Sequence, residues 1–115
     1  MTAEVKNELV QAVLDAPSAC PEFKECAKAY LEASDSDKSE KAKILIAEAK
    51  EDINPIDGTI EFFASDMGKS FFGDEVAAQK LAHAKEIKAQ GALYCDCPGC
   101  TAAKALIDNE EEFLA

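Results

Sequence analysis

The segment Tyr94-Cys95-Asp96-Cys97-Pro98-Gly99-Cys100 places three of the chain's five cysteines within six residues. A Cys-x-Cys-x-x-Cys run has the ligand density of a soft-metal site, because short spacings let the backbone wrap one ion. Tetrahedral zinc takes four ligands, so one more must come from elsewhere in the chain. Cys20 fits for a local reason. It precedes Pro21 as Cys97 precedes Pro98, so each stands at the N-cap of a helix opened by proline. Unpaired amides and the positive end of the helix dipole favour a thiolate there and lower the cysteine pKa. Two helix N-termini meeting at one ion would also offset the negative charge of four thiolates. Cys100, one turn into the last helix, can face the same point.

Cys26 fits poorly. It lies six residues beyond Cys20, about 9 Å along a helix axis, whereas sulfurs sharing a zinc ion stand only about 4 Å apart. It shares a stripe with Phe23 and Tyr30 and reads as a small core residue. His83, the lone histidine, falls on the edge of a helix near Val76 and Ile87 and reads as a packing residue. The expected ligands are therefore Cys20, Cys95, Cys97 and Cys100, with zinc as the cofactor and an iron–sulfur cluster as the alternative. A third option is dithiol chemistry at Cys97 and Cys100, a Cys-x-x-Cys pair opening a helix. Proteins that use that pair carry it after a strand, and no strand is expected here.

The elements that must position these cysteines follow from hydrophobic spacing. Thr2 caps a first helix to about Asp15, with Val5, Leu9, Val10, Val13 and Leu14 on one face, and Pro17 ends it. Pro21 opens a second helix bearing Phe23, Cys26, Ala27, Tyr30 and Leu31. The polar run Ser34 to Ser39 precedes a third, which buries Ala42, Leu45, Ile46, Ala49 and Ile53. After Asn54-Pro55, a fourth carries Ile56, Ile60, Phe63 and Met67, and Gly68 and Gly73 place Phe71-Phe72 in a connecting turn. Asp74 caps a fifth with Val76, Ala77, Leu81, Ala84 and Ile87 on one face, and Gly91 supplies a left-handed cap. Pro98 opens the last, burying Ala103, Leu106, Ile107, Phe113 and Leu114. Nothing alternates with a period of two. The expectation is an all-α single domain over residues 1–115, a bundle of five or six helices with a cysteine-rich loop at 94–100.

Composition narrows the function. A length of 115 residues suits one domain. With 23 acidic against 12 basic residues the net charge is −11, a surface that repels nucleic-acid phosphates and anionic lipid heads. Glu4, Glu8 and Asp15 interrupt the amino-terminal apolar residues, so no signal peptide or membrane span is expected. The simplest compartment is the cytoplasm, where thiols stay reduced and cysteine clusters bind metals or do thiol chemistry. With one histidine, no arginine, no glycine-rich phosphate loop and no serine-centred elbow, no catalytic constellation forms beyond the thiols. The acidic run Asp108 to Glu112 reads as a solvated helix end.

The cysteine motif, with Ala16-Pro17-Ser18-Ala19-Cys20 before it and Asp52-Ile53-Asn54-Pro55-Ile56-Asp57-Gly58 between, resembles a poorly characterised family of small acidic proteins of anaerobic bacteria. Members are sometimes labelled as relatives of a heat-shock chaperone. The resemblance implies that Cys20, Cys95, Cys97 and Cys100 are the characteristic set, and it brings no established activity. The reading is a cytoplasmic, metal-binding helical protein whose partners are a metal ion and a further protein. It acts as a binding or adaptor module rather than an enzyme, with a thiol–disulfide or redox-sensitive chaperone-like role as the alternative.

Overall fold

Side-chain caps at Thr2, Ser65 and Cys97 set three of the helix starts in the computed structural model, which describes residues 1–115. The chain is all-helical, as expected, but has eight helices rather than five or six: α1 (Ala3–Asp15), α2 (Pro21–Glu32), α3 (Lys38–Asp52), α4 (Ile56–Ala64), α5 (Asp66–Phe72), α6 (Asp74–Ala89), α7 (Pro98–Asp108) and α8 (Glu110–Leu114). Both extra helices come from breaks inside segments read as continuous. Ser65 is extended and serves two helices, donating to the Phe62 carbonyl at 2.6 Å and accepting from the Gly68 amide at 3.3 Å. A serine side chain that can satisfy the end of one helix and the start of the next favours a break over continuation. The break converts the expected turn at Phe71-Phe72 into the last residues of α5. Between α7 and α8, Asn109 satisfies only the end of α7, its side-chain amide donating to the Ala105 carbonyl at 2.7 Å without capping α8.

Of the other expected caps Thr2 and Gly91 are present, whereas Asp74 is the first residue of α6 and Gly73, not Asp74, is its N-cap. The Thr2 hydroxyl accepts from Val5 at 3.2 Å. Gly91 has φ of +100°, and the Ala92 amide reaches the Ile87 carbonyl at 3.0 Å, closing α6 with the left-handed turn foreseen there. Gly73, at φ of +83°, makes the corner between α5 and α6.

The helices group into two compact units, Met1–Ile53 with Asp96–Ala115, and Asn54–Cys95. In the first, α3 packs against α2, α7 and α8, while α1 packs against α2 and α7. Its core is Val10, Val13, Phe23, Ala27, Tyr30, Leu45, Ile46, Ala49, Leu106 and Phe113, all buried. The α3 face is buried as its spacing required, from Ala42 through Ile53. Val5, by contrast, is exposed, and Leu9 and Leu14 are half-buried, so the apolar face of α1 is narrower than expected.

In the second unit α4 packs against α5 and α6, and α5 against α6. Few residues there are fully buried; Ile56, Ala77 and Ala84 are the apolar side chains among them. Phe62, Phe63 and Phe72 stack edge to face, with ring centroids 5.2 and 5.4 Å apart for the two pairs that include Phe63. Lys80 lies over the Phe63 and Phe72 rings. Phe71 is outside this cluster and 75% exposed. No helix is long and apolar enough to cross a membrane.

Candidate metal centre

Cys95 is held by backbone. The Ile56 amide donates to the Leu93 carbonyl and the Cys95 amide to the Asn54 carbonyl, both at 2.9 Å, making one isolated antiparallel bridge between Pro55 and Tyr94. Cys97 follows in extended conformation as the N-cap of α7, with Pro98 presetting the first helical turn. Its sulfur accepts a hydrogen bond from the Cys100 amide at 3.4 Å. The Thr101 hydroxyl donates to the Asp96 carbonyl at 3.1 Å, closing the loop onto the same turn.

These constraints bring the sulfurs of Cys95, Cys97 and Cys100 within 4.8 Å of one another. Sulfurs around one zinc ion stand about 4 Å apart, so the three meet that spacing with side-chain adjustment of about 1 Å. Cys100 is buried, and Cys95 and Cys97 are half-buried. No disulfide forms among the five cysteines. Three thiol donors at this spacing, partly shielded from water and next to the first amides of α7, can hold a thiophilic metal ion.

Cys20, the fourth expected ligand, is placed elsewhere. It does cap α2 in extended conformation. Its thiol, however, donates to the Asp52 carboxylate at 3.1 Å, and its donor atom groups with those of Glu48 and Asp52 within 4.8 Å. The physical reason is competition: the last turn of α3 presents two carboxylates to a thiol that remains protonated. Burial first, and then the Asp52 carboxylate, push the Cys20 thiol up to about 11, outweighing the Phe23 amide that pulls it down. The depressed pKa expected at this helix start is therefore reversed. Cys26 is half-buried rather than in the core; its thiol is also raised, by burial and then by Glu48, Asp52 and Glu25. His83 lies on the exposed side of α6 and belongs to neither group.

The two proline-opened helix starts nevertheless come together, through Ser18 and Ala19 rather than through Cys20 at a shared ion. The Gly99 amide donates to the Ser18 hydroxyl at 2.8 Å. A Cβ on Gly99 would stand 2.8 Å from the Ala19 nitrogen and 3.0 Å from its Cα. Only glycine admits this approach. Gly99→Ala is accordingly expected to cost about 1–3 kcal/mol, the usual range for forced overpacking against backbone, and urea denaturation measures it. Gly58→Ala, where a Cβ meets nothing within 4 Å, is the control and is expected to stabilise slightly, since Gly disfavours helix interiors by about 1 kcal/mol.

The raised Cys20 thiol carries a pH dependence in the metal-free chain. Its proton is held more tightly in the folded state, with a pKa near 11 against 9.0 for an ordinary cysteine. The stabilisation is full below pH 9.0 and is lost as pH rises toward 11. Wild type should lose about 1–2 kcal/mol more than Cys20→Ser across that interval. Parallel urea midpoints for the two proteins would show the coupling absent.

Glu48, Asp52 and Ser18 are the residues that sequence reasoning missed. Glu48 and Asp52 lie one turn apart on α3, which puts them on one face; nothing local says that this face meets Cys20. Comparison with protein-family models, curated proteins and solved structures finds no match to this chain.

Proposed function

We propose that this protein is a metal-binding helical module, holding a zinc ion through the thiolates of Cys95, Cys97 and Cys100. The observation that carries the reading is the approach of these three sulfurs within 4.8 Å, on a loop fixed by backbone hydrogen bonds at both ends. Bound metal ties this loop to the first turn of α7 and adds to folding stability, because the unfolded chain has no such site. The fourth coordination position goes to a ligand from outside the trio. Cys20 takes it only by giving up Asp52, so we assign the three-thiolate core and leave Cys20 with its carboxylates. The role that fits is a binding or adaptor module of a reducing, cytoplasmic compartment, with a protein as the further partner.

The test is elemental analysis of protein purified anaerobically without chelator. At least about one zinc per chain is expected. Several irons per chain with visible colour would replace zinc by an iron–sulfur cluster. A metal-free protein that also fails to take up added zinc would end the proposal. A second reading, dithiol–disulfide chemistry at Cys97 and Cys100, is favoured by one observation: the Cys100 amide points at the Cys97 sulfur and stabilises a thiolate there. It predicts turnover of a small disulfide substrate by metal-free protein.

A further inference from the structure

We propose that Cys20, Glu48 and Asp52 form a second divalent-cation site, distinct from the three-thiolate loop and selective for ions of zinc-like softness. Three donor atoms from two helices, separated by 28 or more positions in sequence, converge within 4.8 Å. Glu48 and Asp52 are presented together by the last turns of α3, and Cys20 is delivered by the proline-opened start of α2. All three are half-buried, so a bound ion would meet donors already partly stripped of water. The S–H of Cys20 points at the Asp52 carboxylate, the oxygen donor beside it in this group. Glu48 and Asp52 hydrogen-bond to each other, which raises the Glu48 carboxyl and holds the two carboxyl groups side by side.

The donor set decides the class of ion. One thiolate excludes magnesium and calcium, which take oxygen ligands, while two carboxylates disfavour the softest monovalent ions. Zinc and cobalt(II) accept a mixed sulfur–oxygen set in tetrahedral geometry, here with three protein ligands and one water. On binding, the S–H bond of Cys20 breaks, its proton leaves to solvent, and the sulfur's electron pair forms the bond to the metal. No electron transfer is involved.

The proposal stands apart from the three-thiolate reading, and cobalt(II) titration of the full-length metal-free protein under reducing, anaerobic conditions separates them. Wild type is expected to take up about two cobalt ions per chain. Cys20→Ser and the doubly isosteric Glu48→Gln/Asp52→Asn should each take up about one, with the thiolate-to-cobalt absorption of the tighter ion unchanged. Cys97→Ser should retain about one, carrying the weaker absorption of a single thiolate. Circular dichroism confirms that each variant keeps its helices. Wild type binding only one ion would overturn the second site. Loss of absorption from the tighter ion in Cys20→Ser would overturn it as well, because Cys20 would then belong to the loop cluster. If Cys97→Ser leaves the strongly absorbing ion in place while Cys20→Ser still removes one, the loop reading fails and the second site stands.

Discussion

Cys97→Ser is expected to strip the loop of its metal and to lower the melting temperature by about 10 °C or more, whereas Cys26→Ser shifts it by only a few degrees. The size follows from linkage. Structural zinc sites in small peptides contribute apparent binding free energies of roughly 10–16 kcal/mol, and most of that becomes folding free energy. This chain has a core of its own, with Phe23, Leu45 and Leu106 fully buried, so the metal supplies only part of the total. A loss of about 3 kcal/mol is a cautious figure for removing one of three thiolates. Cys97 is also the N-cap of α7, accepting from the Cys100 amide, and serine keeps that function with a shorter acceptor. The contrast is therefore metal, not capping. A chelator should lower the wild-type melting temperature at least to that of Cys97→Ser, and should move the variant by less, through the one ion it retains. Equal small shifts for Cys97→Ser and Cys26→Ser, with no response to chelator, would remove the metal from the account.

Phe113→Ala is expected to cost about 3–5 kcal/mol, a large share of the 5–15 kcal/mol that holds a typical domain together. The residue lies in α8, a five-residue helix whose first turn is the acidic Glu110, Glu111 and Glu112, yet it is only 1% exposed. Its ring sits 5.1 Å from that of Tyr30, and α8 packs on α3. Truncation removes most of a large buried side chain and leaves a cavity lined by helices that cannot easily close. Phe71→Ala is the comparison: at 75% exposure its ring is mostly in water already, and a change within about 0.5 kcal/mol is expected. Urea denaturation of both variants decides the matter. Comparable losses would mean that Phe71 is covered in solution.

Much of the fold was legible because helix signals are local. Thr2, Pro21, Gly91 and Pro98 mark helix ends by their own backbone chemistry, and each stands at the position its type implied. The buried stripe of α3 follows from spacing alone, since every apolar residue on it repeats with the helical period. Ser65 was harder to read. A serine inside an apolar helical pattern is ordinary, and only its two hydrogen bonds, to Phe62 and from Gly68, turn it into a break. The exposure of Val5 and Phe71 was not legible either. Periodicity shows which residues share a face but not whether a neighbouring helix covers it.

The same division runs through the candidate site. The sequence by itself determined the helical class, the proline-capped starts and a cysteine spacing short enough to share one ion. The Asn54 carbonyl and the first turn of α7 draw Cys95, Cys97 and Cys100 together. Only the tertiary structure decided where Cys20 goes. Its neighbours come from a helix 28 to 32 positions away, and the preference of a protonated thiol for the Asp52 carboxylate depends on the packing of α2 against α3. Side-chain chemistry is written residue by residue; which donors share a point in space is set by how the helices pack, and no spacing within one segment encodes it.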